Sequence, residues 1–168
     1  MLADSTQLNT PFQPISVDDS GTLYVTRSEG REGYSVLTRF DFGTMAAQKQ
    51  ALVRALGFHV RGGLILDRAG GRALGVRIDT DAAQTVWFDE AMKQMQAAAD
   101  ARMPGRINRI NCSRCGTPDM GALVRSYSDQ DPGRLWIFEA ASQRWSAVST
   151  VMDGIDARQM ATVDLRRI

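Results

Sequence analysis

Hydrophobic and polar positions repeat three times along the chain, at a period of about fifty residues. In each copy a turn rich in Asp or Gly leads into an apolar strand, a polar bend follows, and a second strand carries aromatic side chains. The equivalent residues Val36, Trp87 and Trp136 lie 51 and 49 positions apart. The paired strands are expected at 23–27 with 34–41, at 73–78 with 85–89, and at 122–127 with 134–139. This period with paired strands is typical of β-propeller blades.

The pattern predicts a mainly β fold, a partial β-propeller of about three blade-like antiparallel sheets. Residues 1–16 are polar, contain Pro11 and Pro14, and are expected to form an extended lead-in. Residues 17–168 are expected to form the propeller fragment. Its blade-like repeats would span 17–67, 68–118 and 119–168. Because a closed propeller needs roughly four to eight blades, we expect the chain to be a piece of a larger protein.

One inserted α-helix is predicted within the second repeat, near 89–102. Asp89 is a favourable N-cap, and the Pro-Gly pair at 104–105 terminates the helix. An apolar stripe recurs at helical spacing along one face, formed by Met92, Met95, Ala99 and Met103. We expect this stripe to pack on a neighbouring sheet, with a docking face for another helix as the alternative.

The segment 45–56 is ambiguous between helix and strand. It contains helix formers, with Thr44 as a candidate N-cap and Gly57 as a C-terminal stop. The repeat, however, requires a strand here, and we adopt a strand at about 49–55. Further single strands are expected at 63–67, 107–112, 143–149 and 162–168.

Composition excludes several functional classes. Hydrophobic residues make up 43% and charged residues 23% of the 168 residues, which is typical of globular proteins. The net charge of +1 argues against nucleic-acid or membrane-surface partners, because these need a large basic excess. No run of about 18 apolar residues that would span a membrane occurs. Residues 1–14 do not resemble a signal peptide, and the compartment stays open.

Cys112 and Cys115 form the one recognisable metal or redox spacing. A structural zinc site needs about four ligands, and the chain offers no second cysteine pair and a single histidine. A redox dithiol usually lies at a helix N-terminus, which is not predicted here. We favour a turn between strands, disulfide-linked in an oxidising compartment; a redox dithiol and an intermolecular metal site remain alternatives.

The other polar candidates are expected to be structural. His59 lies in a loop leading into a strand, and no G-x-S-x-G nucleophile motif occurs. Two aspartate pairs follow the first strand of a repeat and are expected to form turns rather than calcium sites: Asp79 with Asp81, and Asp129 with Asp131. The aromatic residues of the repeats are expected to fill the space between blades, with a ligand-stacking surface as the alternative. We therefore assign no catalytic, cofactor-binding or metal-binding residue.

Several segments share residues and spacing with a known family. They are 58–67, 71–77, Asp81, 87–89, Met92 to Met103, 104–105, Asn108, Arg109, Cys112, Cys115, Gly116, Ser128, Asp129, Asp131, Pro132, Ile155, Asp156, 158–160 and Asp164. With them, roughly residues 15–168 resemble the N-terminal β-propeller region of bacterial prolyl-oligopeptidase-like proteins, the S9 serine peptidase family. Within this set, the segments from Ile155 to Asp164 resemble the approach to the hydrolase domain of that family.

The resemblance implies a propeller that caps a serine hydrolase active site and filters peptides by size. The family's catalytic Ser, Asp and His belong to an α/β-hydrolase domain, so none is carried over to this chain. We therefore expect a non-catalytic segment, not itself an enzyme, whose partner is the hydrolase domain of the parent protein. The alternative is a free-standing β-rich module that binds a protein or a small ligand.

An assembly of about three blades leaves two open sheet faces. We expect aromatic side chains at those faces to be exposed, as a larger apolar patch than monomers usually tolerate. Because open repeat arrays commonly need capping units, the isolated chain is expected to form a homodimer, with or without exchange of strands.

Overall fold

The computed structural model describes residues 11–67 and 70–163, and over these the chain is mainly β, as predicted. The strands are β1 (Gln13–Val17), β2 (Leu23–Glu29), β3 (Tyr34–Asp41), β4 (Ala46–Ala47), β5 (Leu64–Leu66), β6 (Ala73–Asp79), β7 (Ala83–Trp87), β8 (Ile107–Ser113), β9 (Gly121–Tyr127), β10 (Arg134–Glu139) and β11 (Arg144–Thr150). The helix α1 (Glu90–Arg102) follows β7, and a short 3-10 helix spans Ala157–Gln159.

The strands form three antiparallel sheets of consecutive strands. The first sheet has the order β1-β2-β3-β4, the second β5-β6-β7, and the third β8-β9-β10-β11. The repeat in the sequence coincides with the second and third strands of each sheet. The prediction of three antiparallel sheets is therefore confirmed, whereas the described residues do not form a closed ring.

The helix α1 confirms the helix predicted near 89–102. Asp89 is its N-cap and accepts a hydrogen bond from the backbone N–H of Met92 at 3.1 Å. Met103 caps the C-terminus through a backbone hydrogen bond to the carbonyl of Ala99. The helix follows β7 in the second sheet, at the position where the first and third sheets each add a fourth strand.

The methionine stripe of α1 packs between the second and third sheets, as predicted. Met92 and Ala99 are fully buried, and Met95 and Met103 are nearly so. They share one core cluster with residues of both sheets, which include Leu74, Trp87, Ile110, Ala122, Val124 and Phe138. The helix thus supplies part of the core that joins these two sheets.

A second cluster joins the first sheet to the second. Tyr24 and Leu37 from the first sheet contact Val76 and Ile78 of β6. The backbone of Gly62 fits closely against the same strand, because a Cβ there would lie 1.1 Å from the carbonyl oxygen of Arg77. The three sheets therefore stack in chain order.

The segment 45–56 corrects our prediction of a strand at about 49–55. Only Ala46–Ala47 forms a strand, and Val53 makes an isolated bridge to Leu37. A helix does not form either, since Met45 has φ of 53°, outside the right-handed helical region.

Side chains of the first sheet explain the irregular path after β4. Arg27 donates hydrogen bonds to the backbone carbonyls of Gln48 and Lys49, and the hydroxyl of Thr38 donates to that of Gln50 at 2.7 Å. These carbonyls are satisfied by side chains, so they do not continue the backbone ladder of a fourth strand.

Three further predictions concern the two ends of the described chain. Gln13–Val17, predicted to be largely lead-in, pairs with β2 as the outermost strand of the first sheet, and residues 1–10 lie outside the described residues. The strand predicted at 143–149 is β11 (Arg144–Thr150). The strand predicted at 162–168 falls largely outside the described residues, and 162–163 have no regular structure.

We predict that Met95→Asp lowers the free energy of unfolding by about 2–5 kcal/mol, because it places a charge in an apolar core. The matched control is Gln94→Asp, which adds the same residue at an exposed position of the same helix and is expected to change stability by about 0.5 kcal/mol or less. Chemical denaturation of both variants provides the measurement. Equal stability of the two variants would show that the stripe is not buried.

We also predict that Glu29 titrates with a pKa of about 2, below its ordinary 4.5, because hydrogen bonds from Arg54 and Arg27 stabilise its carboxylate. Since the folded pKa is depressed, this stabilisation is complete above about pH 4.5 and is lost as the pH falls towards 2. Carbon NMR of the Glu29 carboxyl tests this, and Arg54→Gln is expected to raise the pKa. A pKa near 4.5 in the unmodified chain would contradict the ion pairing.

Candidate functional site

The face of the third sheet that points away from α1 carries exposed apolar side chains. Leu123 on β9 is directly opposite Ile137 on β10, and each is 40% exposed. Their strand neighbours Ala122 and Phe138 belong to the core around α1. Because side chains alternate along a strand, Leu123 and Ile137 lie on the opposite face, which we call the open face.

The open face combines apolar and cationic side chains. Leu135 is opposite Arg125 in the next register position on the same face. The guanidinium of Arg125 lies 4.9 Å from the centroid of the Tyr127 ring, within reach of a cation–π contact. The apolar centre is therefore bordered by a basic group, an arrangement that suits protein contacts.

The aromatic residues of the repeats point towards the core, as predicted for residues between blades. Trp87 and Phe138 are 5% and 6% exposed. Phe138 stacks on Trp145 with ring centroids 4.9 Å apart, and the guanidinium of Arg102 lies 5.6 Å from both Trp136 and Trp145. These contacts make the rings part of the packing between α1 and the third sheet.

The expectation of exposed aromatic residues at the ends of the stack is met in part, because Phe42, which follows β3 and contacts Phe40 edge-on, is 50% exposed. At the third sheet, the exposed apolar side chains of the open face are the aliphatic Leu123 and Ile137. At the first sheet, the corresponding face is covered, because Phe12, Val25 and Phe40 belong to a buried cluster of their own.

Cys112 and Cys115 form a disulfide, which confirms the favoured interpretation of this pair. Cys112 lies near the end of β8, and Cys115 lies in the following turn and is 3% exposed. The disulfide fixes this turn against α1, where Sγ of Cys112 lies 3.9 Å from Sδ of Met92. Within the described part of the chain, no group of three or more His, Cys, Asp or Glu side chains could hold a metal ion.

His59 has the structural role that we expected. Its Nδ1 accepts a hydrogen bond from the backbone N–H of Ser35 at 3.1 Å. Its ring contacts Tyr34 edge-on, with centroids 5.4 Å apart. The hydroxyl of Ser35 donates to the carbonyl of Val60 at 3.3 Å rather than to the imidazole, so these residues do not form a nucleophile–base pair.

The predicted aspartate turns are present, and the carboxylates of Asp129 and Asp131 have structural partners. Asp131 accepts hydrogen bonds from the guanidinium of Arg106 at 2.5 Å and from the backbone N–H of Gly133 at 2.8 Å. Both bonds lower the pKa of Asp131. Asp129 accepts a hydrogen bond from the backbone N–H of Val163 at 2.8 Å. Asp79 and Asp81 lie at the exposed hairpin between β6 and β7.

The sequence pattern did not single out Asp18, a carboxylate that is buried in the turn between β1 and β2. Burial acts to raise the pKa of Asp18, but hydrogen bonds from Ser20, Thr22 and Tyr24 outweigh it and lower the pKa. The sequence feature that could have identified Asp18 is the turn-forming segment Asp18-Asp19-Ser20-Gly21. Its role is to close this turn.

Comparisons with protein-family models, with curated proteins and with solved structures found no match. In the described residues, no helix has both the length and the apolar character needed to cross a membrane. The functional interpretation therefore depends on the geometry of the described residues.

We predict that reduction of the Cys112–Cys115 disulfide lowers the free energy of unfolding by about 2 kcal/mol, the chain-entropy value for so short a loop. Thermal unfolding with and without a reductant provides the measurement. The control is the double variant Cys112→Ser/Cys115→Ser, whose melting temperature is expected not to respond to the reductant. An unchanged melting temperature in the fully reduced natural chain would contradict this role.

Proposed function

We propose that this chain is a non-catalytic propeller segment of a prolyl-oligopeptidase-like serine peptidase. Its function would be to pack against an α/β-hydrolase domain and to control access of peptides to that domain. The observation that carries the proposal is the stack of three antiparallel sheets in chain order, with an open face left on the third sheet. In a propeller each blade is one antiparallel sheet, and neighbouring blades follow one another along the chain. A further blade would cover such a face.

The segments that carry the family resemblance support this proposal by their positions. Residues 58–67 run from the first sheet into β5, and 71–77 lead into and form most of β6. The 87–89 segment joins β7 to the N-cap of α1. The segments 58–67 and 87–89 therefore lie where one sheet leads into the next element, and 71–77 lies in the central strand of the second sheet.

The gating role is supported by the first strand of each sheet. Among the described residues, β1, β5 and β8 each pair on one side alone. In a propeller, the blades surround a central channel, and the first strands would lie nearest to it. A peptide on its way to the hydrolase domain would pass along these edges.

Sequencing the gene past the codon for Ile168 tests the parent function. A downstream G-x-S-x-G serine, whose replacement by alanine abolishes peptidase activity, is expected. A stop codon directly after Ile168 would instead favour the free-standing interaction module. The isolated chain is expected not to hydrolyse ester or aminoacyl substrates, and turnover that His59→Ala abolishes would contradict the proposal.

For the isolated chain we predict a homodimer through the open face, with a mass of about twice 18.5 kDa in light scattering. Ile137→Asp is expected to convert it to a monomer, because a charge would be buried against apolar surface. The matched control Leu56→Asp, at a position that is 91% exposed outside the sheets, is expected to leave the dimer intact. A single-chain mass for the unmodified protein at micromolar concentrations would refute the dimer.

A further inference from the structure

A cavity of about 450 Å³ lies where the first strand of the second sheet faces the first strand of the third. Its size falls within the range of small-ligand sites. Ile65 on β5, which packs on the core between the second and third sheets, lines one side, and Leu123 lines another. Asn111 and Ser113 on β8 supply polar groups. The cavity therefore offers both apolar surface and hydrogen-bonding groups.

Arg77 on β6 reaches into this region and is incompletely satisfied. Its Nη2 donates to Oδ1 of Asn111 at 2.6 Å and to the carbonyl of Ile110 at 3.3 Å. Its Nε is buried without a hydrogen-bond partner. A guanidinium has five N–H donors, and among the described residues the two contacts of Nη2 leave the two N–H donors of Nη1 unpaired.

The charge of Arg77 is not compensated by a neighbouring carboxylate. No acidic side chain is among the described residues that line the cavity, and none of them forms an ion pair with Arg77. Burial lowers the pKa of Arg77, and the nearby charge of Arg109 lowers it further. A partly desolvated cation beside a second cation is an environment that favours an anion.

We propose that this cavity binds a carboxylate that carries a short aliphatic group. The carboxylate oxygens accept hydrogen bonds from Arg77, and the aliphatic group lies against Ile65 and Leu123. A carboxylate fits because its two oxygens match the planar fork of a guanidinium. Two sources share this chemistry, a free carboxylic acid and the C-terminal residue of a peptide. Binding of either compound does not depend on the proposed role of the chain in a peptidase.

The test is an NMR titration of the full chain with two pairs of probes. Hexanoate is compared with hexanamide, and an acetylated tripeptide ending in leucine is compared with its C-terminal amide. The Nε–H signal of Arg77 and the methyl signals of Ile65 and Leu123 report binding. We expect saturable shifts with at least one carboxylate probe, and binding weaker by at least about tenfold for its neutral partner.

Two variants separate a binding role of Arg77 from a structural one. Arg77→Gln removes the charge, and Arg77→Lys keeps the charge but loses the planar fork; each is expected to weaken carboxylate binding by at least about tenfold. The matched control Arg134→Gln removes an exposed arginine of β10 and is expected to leave binding within about twofold. If Arg77→Gln does not fold, the Arg77→Lys variant and the Nε–H signal of the natural chain still decide whether Arg77 binds the carboxylate.

Each outcome of the titration has a definite meaning. Binding of hexanoate alone identifies a free acid as the ligand class, and binding of the peptide acid alone identifies a peptide C-terminus. The proposal is overturned if neither acid gives a saturable shift, if the amides bind as well as the acids, or if both Arg77 variants bind as well as the natural chain. In those cases Arg77 only bridges the second and third sheets.

Discussion

The burial of the α1 methionine face between the second and third sheets is the interaction on which the rest of the structure depends. The helix follows β7 at the position where the first and third sheets each add a fourth strand. Met92 contacts both the core of the sheets and the disulfide that fixes the turn after β8. Gln96 adds polar bonds at the rim, since it accepts from Nε1 of Trp87 and donates to the carbonyl of Asn108. Helix, disulfide and two sheets thus form one packed unit.

The elements that the sequence predicted are those governed by local chemistry. Alternation of apolar and polar residues located the paired strands of every sheet, and β10 (Arg134–Glu139) has the predicted bounds. Asp89 located the start of α1, because an N-cap acts on the next three residues. The cysteine spacing was also informative, since residues three apart can be bridged within one turn. In each case the deciding contacts lie within a few residues.

The features that the sequence did not predict arise from contacts between distant residues. The path after β4 is set by Arg27, whose side chain binds carbonyls more than twenty positions away. Arg77 meets Asn111 across 34 positions, so no local pattern marked the cavity. Gly62 was visible as part of a Gly-Gly pair, but its close fit against Arg77 depends on the packing of the loop on β6. Such sites require the sheets to be assembled first.

The stacked arrangement separates two kinds of surface with different physical demands. The open face of the third sheet carries the aliphatic Leu123 and Ile137 beside the guanidinium of Arg125, so another sheet or a second copy of the chain that covers it must leave Arg125 at the rim or provide a partner for it. The edges of β5 and β8 carry backbone polar groups and border a cavity with an uncompensated guanidinium. Covering such an edge with apolar surface would be costly, whereas a ligand with its own charge and hydrogen-bonding groups can satisfy it. The surface of the proposed dimer and the proposed ligand cavity therefore occupy different parts of the stack, and Leu123 lies at the boundary between them.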